Sequence, residues 1–594
     1  MRKTGCVVLV VWMILSWLEY YLLMPAISFA FVGSFLFIGY RLLLLGTIIG
    51  VIIADDGEGA IPGFLIPFGI ALVVLLFGGL ASSALFNSTS MYNQIGKFNE
   101  KSFKNDVLEI DTAQIPTVDI ALASKVADKK LGEETALGSQ VKVGEFTNKQ
   151  QVNGKLVYVA PLEHRGFFKW NDNKWGTPGY IIVSATNPND VKLVREVNGE
   201  PLKLKYMESA FFSSDLYRHI RQSGFSNVGL TEFSFELDDD NNPYWVVTTY
   251  KNTTAWANPE ATGVIICDPQ TGECNWYSVK DTPAWVDIIQ PERFVINQLK
   301  HYGSYVHGWW NPSERDELSV TEHMTTVYND GNCFYYTGMS SSGADEGTVG
   351  FVLVNTRDKT VVKYKMAGAT ESAAMRSAEG KVQDMGYTAS VPIPLNISGI
   401  PTYFCTLKDS EGLIKGYAML KIEDYSIVET GNSIMETKRA YVKAVNSSGG
   451  GVDFGNGDNV YGYELEGVVT RIGSNIESGE TYYYMIIDGD ESKLYLASYA
   501  VSEELPITRE GDTVKISYID ESNGTITVVT FDNVKFAQDV SPAQEELNKK
   551  QEQNNIINSE DSAVTIVDPE EQQKQWDSLT EEEKAKLLEQ LGDN

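Results

Sequence analysis

Gly179-Tyr-Ile-Ile-Val-Ser184 is one of four segments with a single pattern, and the others are Gly263-Val-Ile-Ile-Cys-Asp268, Gly350-Phe-Val-Leu-Val-Asn355 and Gly416-Tyr-Ala-Met-Leu-Lys421. Each has a glycine, four mostly apolar residues and a polar residue that begins a turn. An aromatic-rich strand precedes each segment, at residues 156–159, 244–247, 334–337 and 403–406, and a second apolar run follows it, at residues 191–194, 276–279, 361–366 and 426–428. Because an internal repeat defines an architecture before any local pattern does, the sequence predicts tandem related modules.

A helical pattern that ends at a glycine precedes the strands of each predicted repeat. The helix-ending glycines are Gly132, Gly224, Gly303 and Gly386, and glycine is typical at that position because it accepts a positive φ. The apolar runs do not alternate, which indicates strands covered on both faces. We therefore predict an α+β fold in which a helix packs on a small antiparallel sheet, with repeats at residues 115–200, 201–288, 289–367 and 368–431.

The first 86 residues contain three nearly continuous apolar runs, at residues 6–24, 26–54 and 61–86. A bilayer core needs about 20 apolar residues per helix, so residues 1–86 are predicted to be a transmembrane α-helical anchor of about three spans. Arg2 and Lys3 favour a cytoplasmic start, which would make the C-terminal region extracytoplasmic in a multi-pass protein of the cell membrane. Four spans, or a cleaved signal peptide at the first run, are the alternatives. Glu19 and Arg41 are either helix-end residues or functional charges inside the membrane.

The remaining segments differ from the repeats in composition. Residues 87–114 are predicted to form an irregular polar stalk, and residues 432–459 a helix and a Gly-rich linker. Five short strand patterns at residues 460–536 predict a small β-barrel of the oligonucleotide/oligosaccharide-binding (OB) type. Residues 537–594 read as an acidic, largely disordered tail. The formal net charge is −31, and a surface of that sign repels nucleic acid, so nucleic acid is not an expected partner.

Two sets of side chains are candidate sites. Cys267 and Cys274 flank a turn and could form a disulfide across a hairpin, with buried free thiols as the alternative. His301, His307 and His323 fall within 23 residues, but their spacing matches no metal-ligand pattern, and they form only a weak candidate for a metal or acid–base site. We therefore predict no catalytic, cofactor or metal residues, and a protein that is not an enzyme.

The turn Asp268-Pro-Gln-Thr-Gly-Glu273, after its buried strand, resembles the PepSY module of bacterial envelope proteins. The resemblance extends over residues 115–431 and is best in the second repeat; the whole arrangement resembles large bacterial multi-pass membrane proteins that carry such modules. PepSY-like modules are associated with restraining or positioning peptidases and with sensing in the envelope, and they have no catalytic motif. The resemblance implies a non-enzymatic envelope protein.

Three functions follow as hypotheses. The first is a membrane-anchored extracytoplasmic scaffold or binding protein whose partners are the lipid bilayer and an envelope protein, peptide or glycan. The second is a regulator of an envelope peptidase or cell-wall hydrolase. The third is a metal-dependent envelope enzyme with its site between His301 and His323.

Overall fold

A computed structural model describes residues 2–54, 60–103, 115–134, 137–146, 149–329, 331–341, 347–397, 399–448, 463–477, 480–502, 504–520 and 525–536. The chain divides into two compact units, Met1–Val460 and Tyr461–Asn594. The predicted acidic tail, and the Gly-rich part of the predicted linker at residues 449–459, lie outside the described residues.

Three long apolar helices begin the first unit: Arg2–Leu23, Val32–Ala54 and Ala60–Ser82. Within the described residues, Val32–Ile53 and Ile61–Ser82 are long and apolar enough to cross a membrane, and the first helix contains a shorter apolar stretch, Val7–Leu23. Two charged residues within these helices pair with each other, since Arg41 Nη2 lies 2.7 Å from Glu19 Oε2.

The segment after the anchor has regular structure where an irregular stalk was expected. Ala84–Asn93 is a helix, and strand Phe98–Lys101 pairs in parallel with strand Val361–Tyr364. Aromatic packing holds this segment against the rest of the first unit, because the Phe98 ring stacks on the Tyr302 ring with their centroids 4.1 Å apart. The expectation of an irregular stalk is therefore wrong for residues 87–93 and 98–101.

Four mainly antiparallel sheets follow in chain order. Sheet 1 contains strands Val141–Val143, Lys149–Val152, Lys155–His164, Tyr180–Ser184 and Val191–Val194. Sheet 2 contains Gly229–Leu237, Pro243–Thr254, Ala257–Cys267 and Cys274–Ser278. Sheet 3 joins Phe98–Lys101 to Leu318–Val320, Thr325–Asn329, Asn332–Ser341, Gly350–Asn355 and Val361–Tyr364. Sheet 4 contains Thr388–Ala389, Ile393–Ile397, Ile400–Lys408, Ile414–Lys421 and Val428–Gly431.

Short elements connect these sheets. Two-residue strands pair as Glu196–Val197 with Glu200–Pro201 and as Gly347–Thr348 with Gly368–Ala369. The α-helices of this region are Ile120–Gly132, Phe167–Asp172, Leu216–Gln222, Glu292–Ser304, Glu371–Lys381 and Ile434–Ser447, and the 3-10 helices are Phe212–Ser214 and Gln383–Met385.

Helices cover both faces of sheet 1. On one face, Leu122 and Ala127 of helix Ile120–Gly132 pack with Ile181. On the other face, Tyr180 shares a buried cluster with Leu216 of helix Leu216–Gln222, and that cluster also includes residues of sheet 2. Neighbouring residues of one strand thus face two different cores, which explains why the apolar run does not alternate.

The same arrangement recurs at sheet 3. Val352 and Val354 share a buried cluster with Val295 and Leu299 of helix Glu292–Ser304. Phe351 and Leu353 point into another cluster, which contains Ala374 and Ala378 of helix Glu371–Lys381 and residues of sheet 4. Helix Glu371–Lys381 therefore lies between sheets 3 and 4, and small alanines allow the close approach.

The four strand glycines make equivalent close contacts. A Cβ atom on Gly179 would lie 1.9 Å from the carbonyl oxygen of Val194, and one on Gly263 would lie 2.0 Å from that of Tyr277. The corresponding distances are 2.6 Å from Gly350 to Tyr364 O and 3.0 Å from Gly416 to Gly431 O. In each case the oxygen belongs to the last strand of the same sheet, so all four positions bring two backbones closer than a side chain comfortably allows.

The second unit is a closed barrel of five strands: Tyr463–Glu477, Glu480–Ile487, Leu494–Ser498, Thr513–Asp520 and Thr525–Asn533. Around the barrel the fifth strand lies between the third and the fourth, and it is parallel to the third. Two 3-10 helices, Tyr499–Val501 and Leu505–Ile507, connect the third and fourth strands, and Leu505 is buried in the barrel core.

Candidate functional site

The anchor helices contact sheet 2 at two places that are distant in sequence. In the loop between the first two helices, the backbone oxygen of Phe29 accepts a hydrogen bond from Trp256 Nε1 at 3.0 Å. At the end of the third helix, Ser82 Oγ accepts a hydrogen bond from the backbone N–H of Trp256 at 3.0 Å. The Trp256 ring also lies against Gly78, where a Cβ would be 2.3 Å from it. One tryptophan in a hairpin of sheet 2 thus contacts both the loop between the first two helices and the end of the third helix.

A cavity of about 780 Å³ lies where the first anchor helix meets sheet 1. Tyr21 and Leu22 line it from the helix, and strand Lys155–His164 contributes Glu163 and His164. Lys142 and Glu145 line it from the first strand of sheet 1 and the loop after it. The wall is completed by Glu208, Phe211, Phe212 and Asp215, which precede helix Leu216–Gln222, and by Arg218 of that helix. The cavity is therefore built from four separate parts of the chain.

Carboxylates outnumber cations in this cavity. The four acidic side chains are Glu145, Glu163, Glu208 and Asp215, and the two basic ones are Lys142 and Arg218. Lys142 Nζ lies 3.0 Å from Glu163 Oε2, and Arg218 Nη1 lies 3.9 Å from Asp215 Oδ1. Glu145 and Glu208 have no ion-pair partner within the described part of the chain. The cavity thus carries an uncompensated negative charge.

The negative charge of the cavity affects the pKa of the Glu208 carboxyl group. The residue is exposed by its accessible area, but the protein around the carboxyl group still desolvates it. This desolvation, together with the carboxylates of Glu163, Glu145 and Asp215, raises the pKa of Glu208 to about 7. Glu208 therefore changes its charge near neutral pH, and a cation next to it would favour the ionised form.

His164 is the second unusual group in the cavity wall. Its side chain is only 2% exposed, and neither ring nitrogen has a hydrogen-bond partner among the described residues. Burial lowers the pKa of the imidazole, so the ring is neutral at physiological pH. A buried, unpaired imidazole is costly in free energy.

The three candidate histidines do not form a metal centre. The His301 ring stacks on Tyr305, with centroids 5.5 Å apart, and His307 Nε2 lies 2.8 Å from Asp316 Oδ2 at the surface. The backbone oxygen of His323 accepts a hydrogen bond from Thr337 Oγ1. Across the described ranges, no group of three or more His, Cys, Asp or Glu side chains could hold a metal ion.

Cys267 and Cys274 form a disulfide, with their Cα atoms 4.1 Å apart. They are directly opposite each other in the ladder between the last two strands of sheet 2. Cys333 and Cys405 are buried thiols, and burial raises the pKa of each to about 12. Neither thiol is therefore a nucleophile at neutral pH.

Sequence reasoning missed the cavity because its walls come from residues 21 to 218 without a motif. The one local signal was His164, which ends a mostly apolar strand. Only the packing of the anchor helix against sheets 1 and 2 brings Tyr21, His164 and Glu208 together.

Comparisons with known proteins assign this chain to no family. No protein-family model and no curated protein match the chain. Among solved structures, the chain is similar to a Trypanosoma rangeli sialidase in complex with sialic acid, at 10% identity and with a TM-score of 0.13. That match covers 66% of this chain and 56% of the sialidase. A likeness this weak carries no argument about fold or activity.

Proposed function

We propose that the protein is a membrane-anchored, non-enzymatic binding protein or scaffold, whose sheets lie outside the cell and engage an envelope protein, peptide or glycan. The observation that carries the proposal is the double contact of Trp256. The loop after the first helix, through Phe29, and the end of the third helix, through Ser82, both meet sheet 2. If all three helices span the bilayer, these two points lie on one side, opposite Arg2 and Lys3.

Two further features support an extracytoplasmic location. The disulfide between Cys267 and Cys274 is of a kind that persists in oxidising compartments. Exposed aromatic rings also gather near the end of the first helix: Phe168 is 79% exposed and Phe212 is 55% exposed. Arg218 connects this patch to the helix, since it donates hydrogen bonds to the backbone oxygens of Phe212 and Tyr21. Aromatic side chains are enriched at the interface between membrane and water.

The modular part of the proposal is that sheets 1 to 4 are related PepSY-like units and that the barrel is OB-like. The equivalent backbone contacts of Gly179, Gly263, Gly350 and Gly416 support four related units. The closed order of five strands supports an OB-type barrel. Superposition of the four sheets with their helices tests the first point: related units would superpose strand for strand with the glycines aligned.

The peptidase-regulator alternative rests on the turn at residues 268–273, and the contacts of this turn lie within its own unit. The backbone oxygen of Gly272 is 2.7 Å from His219 Nε2, and the backbone oxygen of Pro269 accepts hydrogen bonds from Lys205 and Tyr206. These contacts favour a structural role for the turn. The enzyme alternative at His301, His307 and His323 has no grouped side chains to support it.

Partner capture from gently solubilised membranes tests the binding function. The full chain should recover a stoichiometric partner, and the cavity variant Glu208→Lys should lose it if the cavity takes part. The matched variant Glu200→Lys, at an exposed position of the short strand Glu200–Pro201, should retain it. Two results together would contradict a non-enzymatic binding protein. The first is recovery of the protein alone, and the second is turnover of a substrate at a rate that His307→Ala and Glu208→Gln do not change.

A further inference from the structure

We propose that three phenylalanine rings beside the first helix, those of Phe167, Phe168 and Phe212, insert into the interfacial layer of the bilayer and seat sheet 1 on the membrane surface. We call these rings the phenylalanine patch. The ligand is lipid, at the boundary between headgroups and acyl chains. This inference rests on the proposed function, in which the first helix spans the bilayer, and it assigns a membrane contact outside the helices.

The phenylalanine patch is apolar surface that the protein leaves uncovered. Phe168 is 79% exposed, Phe212 is 55% exposed and Phe167 is 40% exposed. Phe167 joins the two segments, because its ring centroid lies 5.7 Å from that of Phe168 and 6.3 Å from that of Phe212. Contiguous apolar surface of this kind marks a contact with a membrane or with another protein.

The backbone of Phe212 indicates that the exposure of this ring is maintained against strain. Its φ is +57°, in the left-handed region that bulky residues rarely adopt. The preceding residue, Phe211, packs against the buried cluster that sheets 1 and 2 share. Glycine or asparagine would adopt the Phe212 conformation with less strain. An exposed aromatic ring therefore stands where the fold alone favours a smaller residue.

Arg218 holds the phenylalanine patch next to the anchor. It donates hydrogen bonds from Nε to the backbone oxygen of Tyr21 at 3.1 Å and from Nη1 to that of Phe212 at 2.6 Å. The hydroxyl of Tyr217 donates a hydrogen bond to the backbone oxygen of Met24, which directly follows the first helix. The patch thus lies beside the last turn of this helix, the part of a spanning helix that reaches the membrane interface.

Charge near the patch favours lipid as the occupant. Residues 165–174 contain three basic and one acidic side chain, whereas the whole chain has a net charge of −31. Lys169 and Lys174 follow Phe168 closely in sequence, and lysines beside aromatic rings can reach lipid phosphates while the rings enter the acyl boundary. Glu145 and Glu208 line the adjacent cavity. Because charges of both signs lie near the rings, zwitterionic lipid should suffice for insertion.

The test measures the depth of the patch in phosphatidylcholine nanodiscs that contain the full chain. Phe168→Cys, in a Cys6→Ala background, is labelled with nitrobenzoxadiazole and quenched by lipid spin labels at different depths; Cys333 and Cys405 are buried thiols. We expect a spin label near the top of the acyl chain to quench at least about twofold more strongly than one near its end. Tyr425→Cys, at an exposed position between two strands of sheet 4, is the matched control and should not be quenched.

A second variant separates membrane insertion from a structural role of the ring. Phe212→Gly removes the ring and relieves the strained backbone, so the fold should not be weakened. We expect it to reduce the quenching of the label at Phe168→Cys about twofold or more, because one of the three inserted rings is lost. Asn198→Gly, at an exposed residue that also has a positive φ, is the matched control and should leave the quenching unchanged.

Three outcomes would overturn membrane insertion of the patch. The first is equal quenching of the labels at Phe168→Cys and Tyr425→Cys, and the second is quenching that Phe212→Gly does not change. The third is a label at Phe168→Cys that is shielded from water in native membranes but exposed in nanodiscs, which would identify a protein as the partner. Loss of partner capture by the full chain would leave the depth of the label unchanged, so the two proposals fail separately.

Discussion

Gly263 illustrates how one residue fixes the spacing of two strands. It has φ = +153°, and a Cβ there would lie 2.0 Å from the carbonyl oxygen of Tyr277. Any side chain must therefore push the last two strands of sheet 2 apart. The other three strand glycines meet a carbonyl oxygen in the same place, which explains why the sequence keeps a glycine before each apolar run.

Gly263→Ala should lower the stability of sheet 2 by about 2–4 kcal/mol, because it combines backbone strain with a steric clash. Hydrogen–deuterium exchange of the amides in strand Ala257–Cys267 measures this local effect. Gly380→Ala is the control: nothing lies within 4 Å of its Cβ in helix Glu371–Lys381, so its helix should become up to about 1 kcal/mol more stable. Equal exchange in the wild type and Gly263→Ala would disprove the clash.

Glu236 predicts a pH dependence of stability. Its side chain is 3% exposed, and burial together with the charge of Asp287 raises its pKa to about 8. A carboxyl group whose folded pKa is raised stabilises the fold below its unfolded pKa of about 4.5, and this contribution is lost as the pH rises through the folded pKa. The stability supplied by this group should therefore fall between about pH 4.5 and pH 8.

Glu236→Gln should remove that dependence and make the protein more stable than the wild type at pH 8, by on the order of 2–4 kcal/mol. Urea unfolding at pH 5, 6.5 and 8 measures the difference. Glu232→Gln, at an exposed position on the same strand, serves as the control and should follow the wild type. If the extra free energy of unfolding of Glu236→Gln over the wild type increased as the pH was lowered, the result would contradict this prediction.

At the scale of elements, the hairpin that carries Trp256 holds the anchor. Its indole contacts Phe29 O, the Phe35 ring at 5.5 Å and Gly78. Trp256→Ala should therefore release the loop between the first two helices while the strands of sheet 2 remain paired. Amide exchange in residues 24–31 should rise at least about tenfold, an effect of about 1.4 kcal/mol or more.

Trp175→Ala is the matched control for this experiment, because Trp175 is 81% exposed. It should leave exchange in residues 24–31 unchanged. Faster exchange throughout sheet 2 in Trp256→Ala would mean that the tryptophan belongs to the sheet core and does not act as a link to the anchor.

The disulfide hairpin of sheet 2 predicts a labelling pattern. In protein denatured without reductant, Cys6, Cys333 and Cys405 should react with a maleimide polymer, whereas Cys267 and Cys274 should react only after reduction. Gel shifts before and after reduction count the labels. Loss of this short cross-link should cost about 2 kcal/mol of stability. Labelling of all five cysteines without reductant would argue against an oxidising location.

At the scale of the whole molecule, the sequence predicted what local patterns encode. Apolar runs indicated the anchor, and the runs that follow Gly179 and Gly350 indicated strands buried on both faces, as packing onto two clusters confirms. It failed for Phe98–Lys101, because a parallel pairing with Val361–Tyr364 joins segments more than 250 residues apart and leaves no local signal. The cavity lined by His164 could not be predicted for the same reason, because its walls come from segments that are distant in sequence.

Topology is the central claim, because every proposed partner depends on the sheets lying outside the cell. The direct measurement is labelling of intact cells with a membrane-impermeant maleimide on two cysteine variants, with the native cysteines as background. Glu200→Cys lies in the exposed short strand Glu200–Pro201 between sheets 1 and 2, and Asp56→Cys lies in the sequence between the second and third helices. We expect Glu200→Cys to be labelled in intact cells and Asp56→Cys only after lysis. Labelling of Asp56→Cys in intact cells, with Glu200→Cys protected until lysis, would contradict it.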